Sequence, residues 1–143
     1  MSGLVVDASV GLKWCLPTIN EQLVPQAVGL LQDFRHGGIA FLVPDVFWID
    51  LANGLWKAVR RGRLSLQDAE FALSQMQELG IPTIPSAPLL PDGLRLGANY
   101  DRTVYDSVYV VLAVQSGAEL ITADERLAYA LAAYLPVKWL GAL

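Results

Sequence analysis

Asp7, Asp50, Asp106 and Asp124 are the residues whose types and surroundings could do chemistry. Asp7 follows the buried-strand run Gly3-Leu4-Val5-Val6 and precedes Ala8-Ser9, which could begin a helix. Asp124 stands just past a second apolar run, Glu119–Thr122. Asp106 falls in the first turn of a helix that leads into that run. Asp50 and Asn53 lie three apart, hence on one face, in an otherwise apolar helix. Carboxylates that converge are costly unless a cation neutralises them. Oxygen-only ligands favour Mg²⁺ or Mn²⁺ over zinc or copper. Each acid also has a plainer explanation. Asp7 and Asp124 could be helix N-caps, Thr103-x-x-Asp106 a capping box, and Asp50 part of a solvent stripe running to Lys57. Capping alone does not explain why an acid recurs wherever the ligand-binding edge of a parallel sheet should lie.

The elements that must position these acids alternate. Leu4–Val6 reads as a central strand, apolar on both faces. A short helix follows to about Leu16 and stops at Pro17. Asn20 or Glu21 opens a second helix, which runs past Phe34 to Gly37-Gly38. Phe41–Val43 is a brief strand, and Pro44 fits the first turn of a long helix ending near Arg61-Gly62. Ser65-x-x-Asp68 opens another helix, ended by Gly80. Ile81–Pro85 is a short strand that its prolines confine to an edge. Pro88 to about Tyr100 is helical despite Pro91 and Gly93. Thr103–Gln115 is a strongly apolar helix, Glu119–Thr122 a strand, and Asp124 precedes a further helix. Val137–Leu140 is the last strand. Short strands alternating with helices predict an α/β fold with a parallel sheet and helices on both faces.

At 143 residues the chain fits one domain, 1–143, with roughly two thirds of its unfolded surface buried. Hydrophobic residues make up 54% and charged ones 17%, which excludes disorder and leaves more apolar surface than one small core can hide. A partner protein or a homodimer would cover the excess. The single cysteine, Cys15, excludes an internal disulfide, and with His36 as the only histidine it excludes a Cys/His zinc site. The N-terminus lacks the basic-then-apolar pattern of a signal peptide, and no apolar run reaches ~18–20 residues. A cytosolic location without membrane contact is the expectation. The net charge of −4 does not favour nucleic acid overall, but Lys57, Arg60, Arg61 and Arg63 form a local basic cluster. That cluster is also what a helix C-terminus attracts for electrostatic reasons.

Val5-Val6-Asp7-Ala8-Ser9, Ile49-Asp50-Leu51-Ala52-Asn53-Gly54-Leu55, Tyr105-Asp106-Ser107-Val108-Tyr109 and Thr122-Ala123-Asp124-Glu125-Arg126-Leu127 resemble, in this order, the successive motifs of PIN domains. The likeness is to the VapC-type toxin ribonucleases of toxin–antitoxin pairs, and it covers nearly the whole chain. The resemblance implies a PIN-like three-layer α/β/α sandwich around a short, mostly parallel sheet. It implies a catalytic set of Asp7, Asp50, Asp106 and Asp124. Of these, Asp7 and Asp106 would be the principal ligands of Mg²⁺ or Mn²⁺, and Asp124 a direct or water-mediated one. Asp50 would hold the second acidic position, where the family commonly carries glutamate; the shorter side chain could alter metal occupancy. Ser9, Asn53 and Thr122 would hydrogen-bond these acids from behind. The implied reaction is hydrolysis of RNA to 5′-phosphate and 3′-hydroxyl ends, with Lys57, Arg60, Arg61 and Arg63 docking the strand. The implied partner is a VapB-like antitoxin that lays an apolar segment across Trp48, Trp56 and Val59.

Two other classes fit parts of the pattern. A PIN-like scaffold that has lost activity would bind proteins only, and metal titration separates it. A receiver-type phosphoacceptor domain would use an acidic edge and a late lysine such as Lys138. It normally needs an adjacent acidic pair in its first loop, which this chain does not show clearly.

Overall fold

The computed structural model describes residues 2–143. Five strands form one sheet: β1 (Ser2–Val6), β2 (Ile39–Pro44), β3 (Thr83–Ile84), β4 (Glu119–Thr122) and β5 (Val137–Trp139). Their order is β3-β2-β1-β4-β5, and every pairing is parallel. Seven α-helices connect them: α1 (Ala8–Cys15), α2 (Val24–Arg35), α3 (Val46–Arg60), α4 (Leu66–Glu78), α5 (Leu90–Tyr100), α6 (Val104–Ser116) and α7 (Glu125–Leu131).

From β1 the chain steps outward to β2 and β3, then crosses back to β4 and β5 on the other side. Right-handed crossovers in opposite directions put α1–α4 on one face of the sheet and α5–α7 on the other. The packing follows this division: α1 lies on α2 and α3, and α3 on α4, whereas α6 crosses β1, β2 and β4 with α5 against it. The core is continuous through Val5, Val6, Phe41, Val43, Leu120 and Ile121 of the sheet. Phe41 stacks between Trp14 and Phe34, at 5.5 and 4.5 Å, which seats α1 and α2. The reversal of strand order between β1 and β4 creates the crevice at which open α/β sheets bind ligands.

Several boundaries differ from the sequence expectation: β1 and β2 each begin two residues earlier, at Ser2 and Ile39, and β3 keeps only Thr83–Ile84 of Ile81–Pro85. The second helix begins at Val24, not Asn20 or Glu21, because Pro25 supplies its first turn and Leu23 before it takes a left-handed conformation (φ 59°). Pro44 ends β2 rather than opening α3; Val43 donates to the Pro82 carbonyl at 3.1 Å and Asp45 to that of Ile84 at 2.8 Å, and the missing amide of Pro44 falls beyond the β1 pairing. The last strand stops at Trp139, and Leu140–Ala142 turns as 3₁₀ helix. β3 is a two-residue edge strand, as its prolines require. Pro91 lies in the first turn of α5, where a missing amide costs nothing.

Two glycines let the helices that carry acids close up. At Gly54 a Cβ would lie 2.5 Å from Leu12, so α3 can sit directly on α1. At Gly97 a Cβ would meet the carbonyl oxygen of Arg102 at 2.6 Å. The second approach is to backbone and cannot yield by a rotamer change, and it holds the turn that starts α6. Gly97→Ala is therefore expected to destabilise the fold by about 1–3 kcal/mol, the scale of overpacking. A wild-type denaturant midpoint in that variant would contradict the packing.

Candidate active site

Asp7 ends β1 and caps α1. Its Oδ2 accepts from Thr122 Oγ1 at 2.7 Å and from Ser9 Oγ at 3.1 Å; its Oδ1 meets only the Ser9 amide, at 3.5 Å. Ser9 Oγ also accepts from the Ala123 amide, and Thr122 Oγ1 from the Asp124 amide, both at 3.0 Å. The ends of β1 and β4 are thus laced together by side chains, with Thr122 fully buried. The remaining carboxylates come from helix starts and from α3. Asp106 lies in the first turn of α6, its amide held by Thr103 Oγ1 at 3.1 Å, and Asp124 caps α7 through Leu127 at 3.1 Å. Asp50 reaches in from α3 and accepts the Tyr109 hydroxyl proton at 2.7 Å.

The charges couple. Burial lifts the Asp7 carboxyl above its ordinary value; the hydrogen bonds from Thr122 and Ser9 oppose this, and the charge on Asp106 adds to it. Burial raises Asp106 as well, and Asp124 and Asp50 push it further while Arg102 pulls it back. Asp50 is raised by burial and partly relieved by the Tyr109 hydrogen bond. The structure therefore brings all four predicted aspartates into one electrostatic neighbourhood. It also bears out the capping explanation, since Asp7 and Asp124 are N-caps and Thr103 caps the helix that carries Asp106.

Not every predicted residue arrives. Ser9 and Thr122 bond Asp7 directly, whereas Asn53 is exposed one turn along α3 and makes no side-chain hydrogen bond among the described residues. Lys57, Arg60 and Arg61 wall an open recess of about 260 Å³ with Trp56, and the Arg60 guanidinium sits 4.9 Å over the Trp56 ring. Arg63 is committed elsewhere: it pairs with Glu21 at 2.8 Å, and Glu21 also binds Lys13 at 3.1 Å. Trp48 is likewise turned inward, edge-on to Phe47 and bonded to Thr83 Oγ1 at 3.0 Å. The Cys15 thiol is pushed up to about 11 by burial, so it stays protonated near neutrality. A recess of about 420 Å³ between α1, α2 and α4 has none of the four aspartates in its wall.

Tyr109 escaped the sequence reading as a site residue. The signal was present: it lies three residues after Asp106, on the same face of α6. Arg102, immediately before the Thr103 cap, is a second such residue.

The donor set suits a hard divalent ion. Every ligand is an oxygen, and Asp7 and Asp50 each keep one oxygen without a close partner. Among the described residues, no three acidic, histidine or cysteine side chains stand close enough together to hold one ion. That openness agrees with Mg²⁺-type binding, in which one or two carboxylates and several waters share the ion.

The sequence pattern of the PIN domain matches residues 4–132. Ribonuclease VapC3 of Pyrobaculum aerophilum is 32% identical over 127 residues, 87% of this chain and 92% of that protein. The crystal structure of PAE2754 from Pyrobaculum aerophilum superposes with a TM-score of 0.71 at 21% identity, covering 99% of this chain and 91% of the other. A toxin–antitoxin complex from Klebsiella pneumoniae gives 0.60 at 15% identity, covering 94% and 95%. The chain belongs to the PIN-domain family, among its VapC-type members. Divalent-metal dependence is general to the ribonucleases of that family.

The raised carboxyls have a consequence for the metal-free protein. Unfolded, they titrate at the ordinary aspartate value of 3.8; folded, Asp7, Asp50 and Asp106 hold their protons to higher pH. Between those limits the folded chain binds more protons than the unfolded one, so stability falls as pH rises through that window. Glu21 works oppositely: burial would raise it, but Arg63 and Lys13 hold it low, so its contribution is lost as pH falls. In EDTA the melting temperature is expected to fall as pH rises above the ordinary aspartate value, with Asp106→Asn flattening the slope. A melting temperature that climbs across that range would contradict the coupling.

Proposed function

We propose that this chain is a metal-dependent endoribonuclease, the toxin of a VapBC-type toxin–antitoxin pair. The observation that carries the reading is the placement of Asp7 and Asp124 at the carboxyl ends of β1 and β4, where strand order reverses, with Asp106 at the start of α6 near enough for its charge to act on Asp7 and to feel Asp124 and Asp50. The match to Ribonuclease VapC3 over most of both chains supports it. Asp7 and Asp106 would hold the ion, Asp124 would do so directly or through water, and Asp50 would stand opposite. The ion is Mg²⁺ or Mn²⁺.

A bound divalent ion supplies charge neutralisation for the phosphate and a water of lowered pKa. The residues do the positioning. Thr122 and Ser9 hold one oxygen of Asp7 and leave the other facing the crevice. Without a cation, the clustered negative charge repels a phosphodiester; with one, the same cluster selects it. Water is the nucleophile, since Cys15 stays protonated and the exposed His36 lies on the turn after α2.

Asp50, Asn53, Lys57 and Arg60 form one strip along α3. Lys57 lies about 10 Å and Arg60 about 15 Å beyond Asp50 at the helical rise of roughly 1.5 Å per residue. The strip would carry the RNA backbone away from the cut, with Trp56 as a stacking platform. Arg61 belongs to this surface, and Arg63 serves the ion pair with Glu21 instead. The groove between α3 and α4 exposes Trp56 (52%) and Leu66 (63%), with Ile49 (71%) on α3, an apolar surface suited to an antitoxin segment. Exposed Tyr100 and Tyr134, with ring centroids 6.4 Å apart, offer a second apolar area, suited to a homodimer. No helix among the described residues is long and apolar enough to cross a membrane, and the reading places the protein in the cytoplasm.

Labelled RNA should be cut with Mn²⁺ or Mg²⁺ and left whole in EDTA. Asp7→Asn and Asp106→Asn should each lower kcat by on the order of 100-fold or more, the scale of removing a preorganised electrostatic interaction, while both remain folded. Full activity in either variant would remove the mechanism. Lys57→Ala with Arg60→Ala should raise KM, and should reduce the salt slope of binding by about 0.7 for each phosphate of the single strand that is no longer neutralised. An unchanged slope would move the RNA path off α3.

A further inference from the structure

Tyr109 is buried at 2% exposure in the middle of α6, yet its hydroxyl does not lie in an apolar setting. The phenol donates its proton to Asp50 Oδ2 at 2.7 Å. One side chain thereby ties α6 to the middle of α3. Asp50 is left with Oδ2 committed and Oδ1 free among the described hydrogen bonds.

We infer that Tyr109 is a positioning residue: by donating to one oxygen of the Asp50 carboxylate it fixes that side chain and leaves the other oxygen for a divalent ion. This rests on the metal-dependent reading above. Packing alone does not require the arrangement. A phenylalanine would fill the same volume, and replacing a buried polar pair by apolar groups of like shape is commonly neutral or stabilising. Burial of the Asp50 carboxylate is a cost to folding that the Tyr109 hydrogen bond offsets only in part.

The test is Mn²⁺ binding without RNA, followed by electron paramagnetic resonance, for wild type, Tyr109→Phe, Asp50→Asn and the double variant. Melting curves in EDTA accompany it. Tyr109→Phe should keep a cooperative transition and weaken Mn²⁺ binding by about 10–100-fold, the usual effect of removing a group that orients a metal ligand. Excess Mn²⁺ should restore its cleavage of RNA. In the Asp50→Asn background the second substitution should add nothing, because Tyr109 acts through Asp50. A measurement without variants is the tyrosine ring-carbon resonance of Tyr109, which should shift with the same Mg²⁺ midpoint as ion binding. Equal Mn²⁺ affinity in wild type and Tyr109→Phe, a full effect of the substitution when Asp50 is already asparagine, or a resonance indifferent to Mg²⁺ would each overturn the inference alone. Folded wild type that binds no Mn²⁺ would instead overturn the metal-dependent reading, and this inference with it.

Discussion

The hydrogen bonds from Thr122 and Ser9 to the Asp7 carboxylate fasten two strand ends at the place where the sheet changes direction. Parallel β1 and β4 already share a backbone ladder, and the Asp7 amide extends it to the Ile121 carbonyl at 3.1 Å. What the side chains add is a fixed orientation for a carboxylate that burial would otherwise expel. A hydrogen bond to a charged group stabilises by about 1.5–3 kcal/mol, and an unpaired buried donor or acceptor costs a similar amount. Thr122 and Asp7 therefore support each other: removing Thr122 leaves Asp7 to Ser9 alone, and removing Asp7 leaves Thr122 Oγ1 with the Asp124 amide and Ser9.

That fixed point is useful only because the other acids are brought to it by independent packing. Asp106 arrives on α6, whose position is set by α5 through the close approach at Gly97. Asp50 arrives on α3, whose position is set by α1 through Gly54 and Leu12. Asp124 arrives on the turn that Thr122 itself holds. The burial of Asp7 and Asp106, with a smaller addition from neighbouring negative charge, is sustained by apolar packing distributed across the whole core. Stability built at a distance maintains a site that would relax if it were free to do so.

The pattern of strands and helices was legible because strongly apolar runs, capping residues and glycines mark most ends of the elements. Misjudged ends came from proline, which is read equally well as a strand end or a helix start: Pro44 does the first, Pro25 the second. The acidic site was legible because aspartates stood at the carboxyl ends of apolar runs. Partners across the sheet were less so. Nothing near Arg63 in the chain announces that Glu21, 42 residues away, will claim it. Nor does the sequence around Trp48 reveal that its indole will bond Thr83 at the sheet edge. Such pairings depend on which face of a helix meets which loop, a matter of register that periodicity leaves open.

Capping and catalysis looked like competing explanations for these aspartates, and the fold is compatible with both. α1, α6 and α7 all begin at the same edge, with Asp7 capping the first, Asp106 in the first turn of the second and Asp124 capping the third. A helix N-terminus presents unpaired N–H groups and a partial positive charge, and it stabilises an adjacent carboxylate by about 0.3–1 kcal/mol. Helix starts gathered in one crevice thus offset part of the repulsion before any cation enters. A cap also occupies only one oxygen, as Asp124 shows by giving Oδ1 to Leu127. The other remains for an ion or its waters. Acids used as caps are therefore held in place at little cost to the fold, and this edge of a parallel sheet is where several such caps can face one another.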